Sequence, residues 1–319
     1  MLARTADNLF WLARYMERAD FVARIVDAAL RLSALPKAYG GDNGEWESAL
    51  SSAGALERYN EVHGIIDARR AIDFLVFDER NPSSIINCIE QGRTNGRAVR
   101  TALTVEMWRS VNDGWLNLRY YQAMRQEGVD YDRERLAELI EFVKKTSLDF
   151  DGSAYRTMLR NDAYFFQRLG LYVERADNTA RLLDVKYNIL LPDTEVVGGS
   201  LDYFQWTALL RAVSAHTAYY WVYRDGVKPW LVADLLILRE EMPRSLIGCY
   251  ENIVRFLDAI GRAYGRQGAA QRHARNVYSR LSHANMKDIF NAGLHEFITG
   301  FVEDNNLLGT EITHQYLTY

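Results

Sequence analysis

Tyr15-Met16-Glu17-Arg18-Ala19-Asp20-Phe21-Val22-Ala23-Arg24-Ile25-Val26-Asp27 returns further along the chain as Tyr172-Val173-Glu174-Arg175-Ala176-Asp177-Asn178-Thr179-Ala180-Arg181-Leu182-Leu183-Asp184, with eight of thirteen columns identical. At 3.6 residues per turn, Glu17, Asp20, Arg24 and Asp27 fall at i, i+3, i+7 and i+10, inside an arc of about 80°. They share one helix face, and Glu174, Asp177, Arg181 and Asp184 share its counterpart. Leu9 and Met16 flank the first arc on one side, Phe10 and Phe21 on the other, so that strip is expected to be at least half buried. Gln167 and Asn178 make one flank of the second strip polar, which leaves its burial open. Beside each strip lies a pair of small residues four apart, Ala19/Ala23 and Ala176/Ala180, which lets another helix approach closely.

The echo extends outward in the same order. Each copy is followed by Leu-Pro (35–36, 191–192), by Gly-Gly (40–41, 198–199), and by Trp46 with Leu50 or Trp206 with Leu210. Residues 71–90 then align with 232–251, pairing Asp73/Asp234, Pro82/Pro243, Ser84/Ser245, Cys88/Cys249 and Glu90/Glu251. The spacing implies one domain over 1–319 built from two tandem pseudo-repeats, 1–151 and 152–319. Apolar positions recur every three or four residues and alternating β-branched runs are absent, which predicts an all-α helical bundle. Helices are expected over 2–34, 45–78, 82–125 with a break near Gly114, 131–148, 153–190, 200–224, 228–240, 243–265, 270–283 and 285–317. Asn81 is expected as an N-cap with Pro82 at the first helical position, a placement that Pro243 repeats.

Of the 319 residues 48% are apolar, enough to bury roughly three quarters of the unfolded surface, which excludes a disordered chain. Lys plus Arg number 38 against 42 Asp plus Glu, a net charge of -4, so no bulk basic field points to nucleic acid or an anionic membrane. The two cysteines support neither a disulfide scaffold nor a thiolate zinc site; as repeat partners they read as small buried hydrophobes. Charges interrupt the N-terminal segment before a signal-peptide core forms, and no run of 18 apolar residues occurs. A cytoplasmic protein without a membrane span is expected.

The helix after Pro82 carries Glu90, Arg93, Arg97 and Arg100 at the spacing of the acidic strips, with Gly92/Gly96 as its small pair. It reads as their basic counterpart, leaving an acidic remainder for something positive to complete. In the second half Val254, Asp258 and Gly261 stand at the arginine positions, so the symmetry breaks there. Three readings follow. The arginines neutralise buried carboxylates in a structural network; or they fork a ligand carboxylate or phosphate while the acids take an amine; or Glu-x-x-Asp presents oxygens to a metal, without the histidine of the di-iron bundles. Phosphate-loop, dinucleotide, zinc-protease and hydrolase-elbow motifs are all missing. His63, His216, His273, His283, His295 and His314 are scattered and read as surface or capping residues, and the seven tryptophans mostly as core. No catalytic residue, metal or cofactor is assigned.

The doubled Glu-Arg segment, Arg4-Thr5-Ala6-Asp7-Asn8-Leu9, Arg156-Thr157-Met158-Leu159-Arg160, the Glu90–Arg100 helix leading to Glu106-Met107-Trp108, and Met242-Pro243-Arg244-Ser245 together resemble the bacterial alpha-E family over nearly the full chain. Arg93-Thr94-Asn95-Gly96 departs from it, where the family more commonly reads Ala-Arg-x-Asn-Ala. The family's Glu-Arg falls on Glu17-Arg18 and Glu174-Arg175. The resemblance implies a protein encoded beside an ATP-grasp carboxylate-amine ligase and a transglutaminase-like thiol protease, in a system that makes or modifies peptides or protein tails. Two functions follow: a non-catalytic partner holding the ligase or a peptide tail in a charged groove, or an enzyme acting on an amide with Glu17 or Glu174 as general acid or base. The first is favoured, because arginines beside a carboxylate lower its pKa and a base needs one near working pH. The expected groove comprises Glu17, Arg18, Asp20, Arg24, Glu174, Arg175, Asp177 and Arg181, with Arg93, Arg97 and Arg100.

Overall fold

A computed structural model describes residues 1–34, 44–126, 131–188 and 200–318. Among these every regular element is helical: α1 (Ala3–Leu32), α2 (Gly44–Ser52), α3 (Leu56–His63), α4 (Ala68–Val76), α5 (Ile85–Ala98), α6 (Val105–Gln126), α7 (Arg133–Thr157), α8 (Asp162–Asn188), α9 (Ser200–Ala212), α10 (His216–Tyr223), α11 (Pro229–Ile237), α12 (Leu246–Tyr264), α13 (Ala269–His283), α14 (Met286–Ala292) and α15 (Leu294–Ile312). A short 3₁₀ turn at Arg100–Ala102 and a π turn at Thr313–Leu317 complete them. The two long Glu-Arg helices, α1 and α8, lie against each other at the centre. Helices α5 and α7 cover α1, while α12 and α15 cover α8.

Helices α1 and α8 run in the same direction, since Phe10 meets Gly170 and Glu17 meets Arg175. Their closest approach requires a glycine. A Cβ on Gly170 would overlap the Phe10 carbonyl oxygen and lie 2.9 Å from its carbon. Ala19, Ala23, Ala176 and Ala180 are all buried, as their spacing predicts.

Local details match between the halves. Ser84 and Ser245 cap α5 and α12, accepting the N–H of Asn87 and Gly248. The Tyr59 hydroxyl accepts from the Asp67 N–H and donates to the Ile65 carbonyl; the Tyr219 hydroxyl does the same with Lys228 and Gly226. Cys88 and Cys249 are fully buried.

Several expected boundaries need correction. The caps are the serines, not Asn81, whose side chain instead donates to the Phe74 carbonyl and accepts from the Ser83 N–H, shaping the turn before α5. The helix expected over 45–78 is three, turned at Gly54 and Gly64 with positive φ, and the one over 200–224 divides in the left-handed turn at Ser214. The 82–125 helix breaks at residues 99–104; Gly114 lies inside α6, packed on Thr146 of α7. Helix α7 runs on to Thr157, and α8 begins only at Asp162. The chain also breaks between α14 and α15, at Gly293. Trp46 and Trp206 are core, but Trp221 and Trp230 are exposed. The Leu-Pro and Gly-Gly echoes lie outside the described residues.

Candidate functional site

Adjacent residues on a helix point about 100° apart, so Arg18 cannot turn back onto Glu17, nor Arg175 onto Glu174. The parallel pair resolves this by exchange. Arg175 forks Glu17 through Nε (3.1 Å) and Nη2 (2.8 Å), and Arg18 forks Glu174 through Nε (2.5 Å) and Nη2 (3.1 Å). Each carboxylate then takes one more guanidinium. Arg244, in the turn before α12, donates Nη1 to Glu17 at 2.7 Å and Nη2 to Asp20 at 2.9 Å. Arg14 donates Nε to Glu174 at 2.7 Å. Within each helix Arg24 and Arg181 hold Asp20 and Asp177, both at 2.7 Å. Glu17 is 3% exposed and Glu174 1%.

Of the expected groove residues, Glu17, Arg18, Asp20, Arg24, Glu174, Arg175, Asp177 and Arg181 lie together, and Gln167 and Asn178 on the polar flank of the second strip are buried. At the strip ends Asp27 meets Arg31 and Lys144, and Asp184 meets His295 at 2.5 Å. The expectation for Arg93, Arg97 and Arg100 is overturned. Gly92 and Gly96 take the α1-facing positions of α5, against Leu12, Met16 and Leu103. The residues one step on are thereby turned away. Arg93 bonds Asn112 and stacks over Trp115 at 3.9 Å, Arg100 lies over Trp108, and Arg97 is exposed. Six arginines, 14, 18, 24, 175, 181 and 244, hold the four carboxylates, so no acidic remainder exists. Arg97→Ala is therefore expected to shift unfolding free energy by less than about 0.5 kcal/mol, as exposed substitutions do; a denaturant melt checks it.

Burial by itself would raise the Glu174 pKa, but Arg18 and Arg14 overcome it and hold the group at about 2; Arg175 and Arg244 likewise hold Glu17 far below the carboxylate range. A carboxylate depressed in the folded state stabilises the fold above its unfolded pKa of about 4.3, and that contribution is lost as pH falls toward the folded value. Melting temperature is thus expected to hold from pH 7 to 5 and fall steeply between pH 4 and 2. Melts of Glu174→Gln across this range should show a shallower acid limb; an identical slope would show that the group is not linked to folding. Burial pushes the Cys88 and Cys249 thiols up to about 12, which keeps them protonated packing groups.

The two carboxylate pairs differ in what faces them. Around Asp20 and Arg24 stand Arg244 and Ser214, whose hydroxyl accepts from Arg24 Nη1 at 2.8 Å. Around Asp177 and Arg181 stand Ser83 and Gly54, which lie 161 and 160 residues before Arg244 and Ser214 in the sequence. With those side chains shortened, a polar cavity of about 210 Å³ opens beside Glu174, Asp177, Asn178, Arg18 and Arg181. Asp177 Oδ1 and Asn178 Nδ2 are buried there without a hydrogen-bond partner. The sequence marks this cavity only in the pairing of Ser83 with Arg244 at an offset of 161, at positions outside both strips.

Residues 1–317 match the model of a family described as a predicted alpha-helical domain with a conserved ER motif. No curated protein and no solved structure matches the chain. No helix among the described residues is long and apolar enough to cross a membrane.

Proposed function

The chain belongs to the Alpha-E family, and from that premise we propose that it is a non-catalytic partner of an ATP-grasp carboxylate-amine ligase, holding a peptide or protein tail at the charged cavity between α1 and α8. The observation that carries the reading is that one Glu-Arg carboxylate, Glu174, lines an open polar cavity into which the buried Asn178 Nδ2 and Asp177 Oδ1 bring no hydrogen-bond partner of their own. Buried polar groups left without partners are uncommon, and a ligand that supplies the partners explains them. The alternative, Glu17 or Glu174 as general acid or base, is disfavoured because their arginines hold both well below working pH. Docking of the ligase or a transglutaminase-like protease would draw on the exposed aromatics of α9–α11, Tyr203, Phe204, Tyr220, Trp221 and Trp230.

The same reading treats the halves as copies of one unit, with α1–α7 corresponding to α8–α15. The matched serine caps and tyrosine turns support it.

The test is co-purification with an ATP-grasp ligase encoded beside this chain, followed by turnover of that ligase with and without the protein. Arg18 and Arg175 are unsuitable probes because both are locked in the core pairs. Arg181→Gln serves better, its side chain being 35% exposed at the cavity mouth. Stable Arg181→Gln protein that still binds the ligase but no longer supports turnover is the expected result. Undiminished turnover would remove the cavity from the mechanism.

A further inference from the structure

The fold contains its own picture of what fits beside a Glu-Arg carboxylate pair. On the first side Arg244 inserts its guanidinium and bridges Oε1 of Glu17 and Oδ2 of Asp20 at 2.7 and 2.9 Å. Its backbone is fixed by Thr179, whose hydroxyl donates to the Arg244 carbonyl at 2.8 Å. On the second side the chain reaches the same turn, ahead of the matching serine cap, with Ser83. The lining there is correspondingly Val22, Gly54 and Ser83 in place of Thr179, Ser214 and Arg244.

The acceptors that Arg244 uses have open equivalents. Among the described residues, Glu174 Oε1 accepts from Arg18 Nε alone, because Arg14 and the second Arg18 donor both go to Oε2. Asp177 Oδ2, the equivalent of the oxygen that Arg244 reaches on Asp20, accepts from Arg181 alone, although Asp177 is only 8% exposed; Asp177 Oδ1 and Asp20 Oδ1 alike accept from nothing. We infer that the cavity binds a guanidinium from outside the protein, the side chain of an arginine in a peptide, seated between Glu174 Oε1 and Asp177 as Arg244 is seated between Glu17 and Asp20. This rests on the peptide-holding role proposed above and names the residue that the site takes.

Three features select arginine. A planar fork bridges two carboxylates with separate N–H groups, which a lysine ammonium does as a single point charge. The cavity, about 210 Å³, holds several times the roughly 30 Å³ share of one water, room for a guanidinium and its stem. Arg14, Arg18 and Arg181 already outnumber Glu174 and Asp177, so selection rests on the geometry of the free acceptors and not on an unbalanced negative charge. Asn178 Nδ2, also unpartnered and lining the cavity, is left to meet a backbone carbonyl of the bound peptide.

The experiment titrates the purified protein with N-acetyl-arginine methylamide, with the lysine and glutamate equivalents as comparisons, by calorimetry at low salt. Saturable binding of the arginine compound is expected, at least fivefold tighter than lysine, with none for glutamate. Ser83→Arg, which plants an internal guanidinium where Arg244 has one, is expected to weaken binding at least tenfold while leaving the melt unchanged or raised. Asp177→Asn, which keeps shape and removes the charge, is expected to weaken it at least fivefold and decides the matter if Ser83→Arg does not fold. Absence of saturable arginine binding, preference for the glutamate compound, or affinity unchanged by Asp177→Asn would overturn the inference. These readouts use no ligase, so their failure is separable from failure of the ligase partnership, which turnover reports.

Discussion

Arg175→Ala is expected to destabilise the protein by about 3–5 kcal/mol, the cost of removing one member of a buried ion pair. Glu17 would keep only the Arg244 contact while remaining almost wholly enclosed. The cost comes from the carboxylate left behind, because a buried charge stripped of half its donors retains its desolvation penalty. Arg31→Ala supplies the contrast: its partner Asp27 loses an i,i+4 contact at an exposed position and keeps Lys144, a change worth about 1 kcal/mol or less. Urea melts of the two variants should therefore differ severalfold. Equal shifts would mean that the exchanged pair contributes no more than a surface bridge.

Gly170→Ala is the second large effect, expected at about 3 kcal/mol or more, beyond the usual 1–3 kcal/mol for an added core methyl. What the new Cβ meets is backbone, the Phe10 carbonyl, which has no rotamer to yield. The helices would have to separate, and the exchanged forks at Glu17 and Glu174 lie within two turns of the contact. Gly152→Ala, with nothing near its Cβ, is the matched control, since alanine there gains helix propensity. A Gly170→Ala protein as stable as the Gly152→Ala protein would show that α1 and α8 are not held at this distance.

The charged strips were legible because helical spacing puts Glu17, Asp20 and Arg24 on one face whatever packs against it. Their partners were not, because they depend on which helix lies alongside. One signal was available: neighbours on a helix diverge by about 100°, so Arg18 and Arg175 each had to find an acid elsewhere, and the only equivalent acid was the other copy's. The arginines of α5 misled for the opposite reason. Their spacing matched the strips, but Gly92 and Gly96 beside them are what a close helix crossing selects, and rotation from glycine to arginine carried the charges toward α6. Arg244 lies in a turn, where helical periodicity says nothing, so the cavity left by its counterpart Ser83 emerged only in three dimensions. The breaks at Gly54 and Gly64 are marked by glycine alone, with no proline, and the helical spacing of apolar residues runs straight through them.

The account rests on reciprocal exchange between the two Glu-Arg motifs, and double-mutant cycles test it most directly. Cycles pairing Glu17→Gln with Arg175→Gln, and Glu174→Gln with Arg18→Gln, are predicted to give coupling energies above about 1.5 kcal/mol, within the range for contacting charged pairs. The cycle pairing Glu17→Gln with Arg18→Gln, neighbours in sequence on diverging faces, is predicted to give less than about 0.5 kcal/mol. Additive behaviour in the two cross-helix cycles, or a coupling between Glu17 and Arg18 as large as theirs, would contradict it.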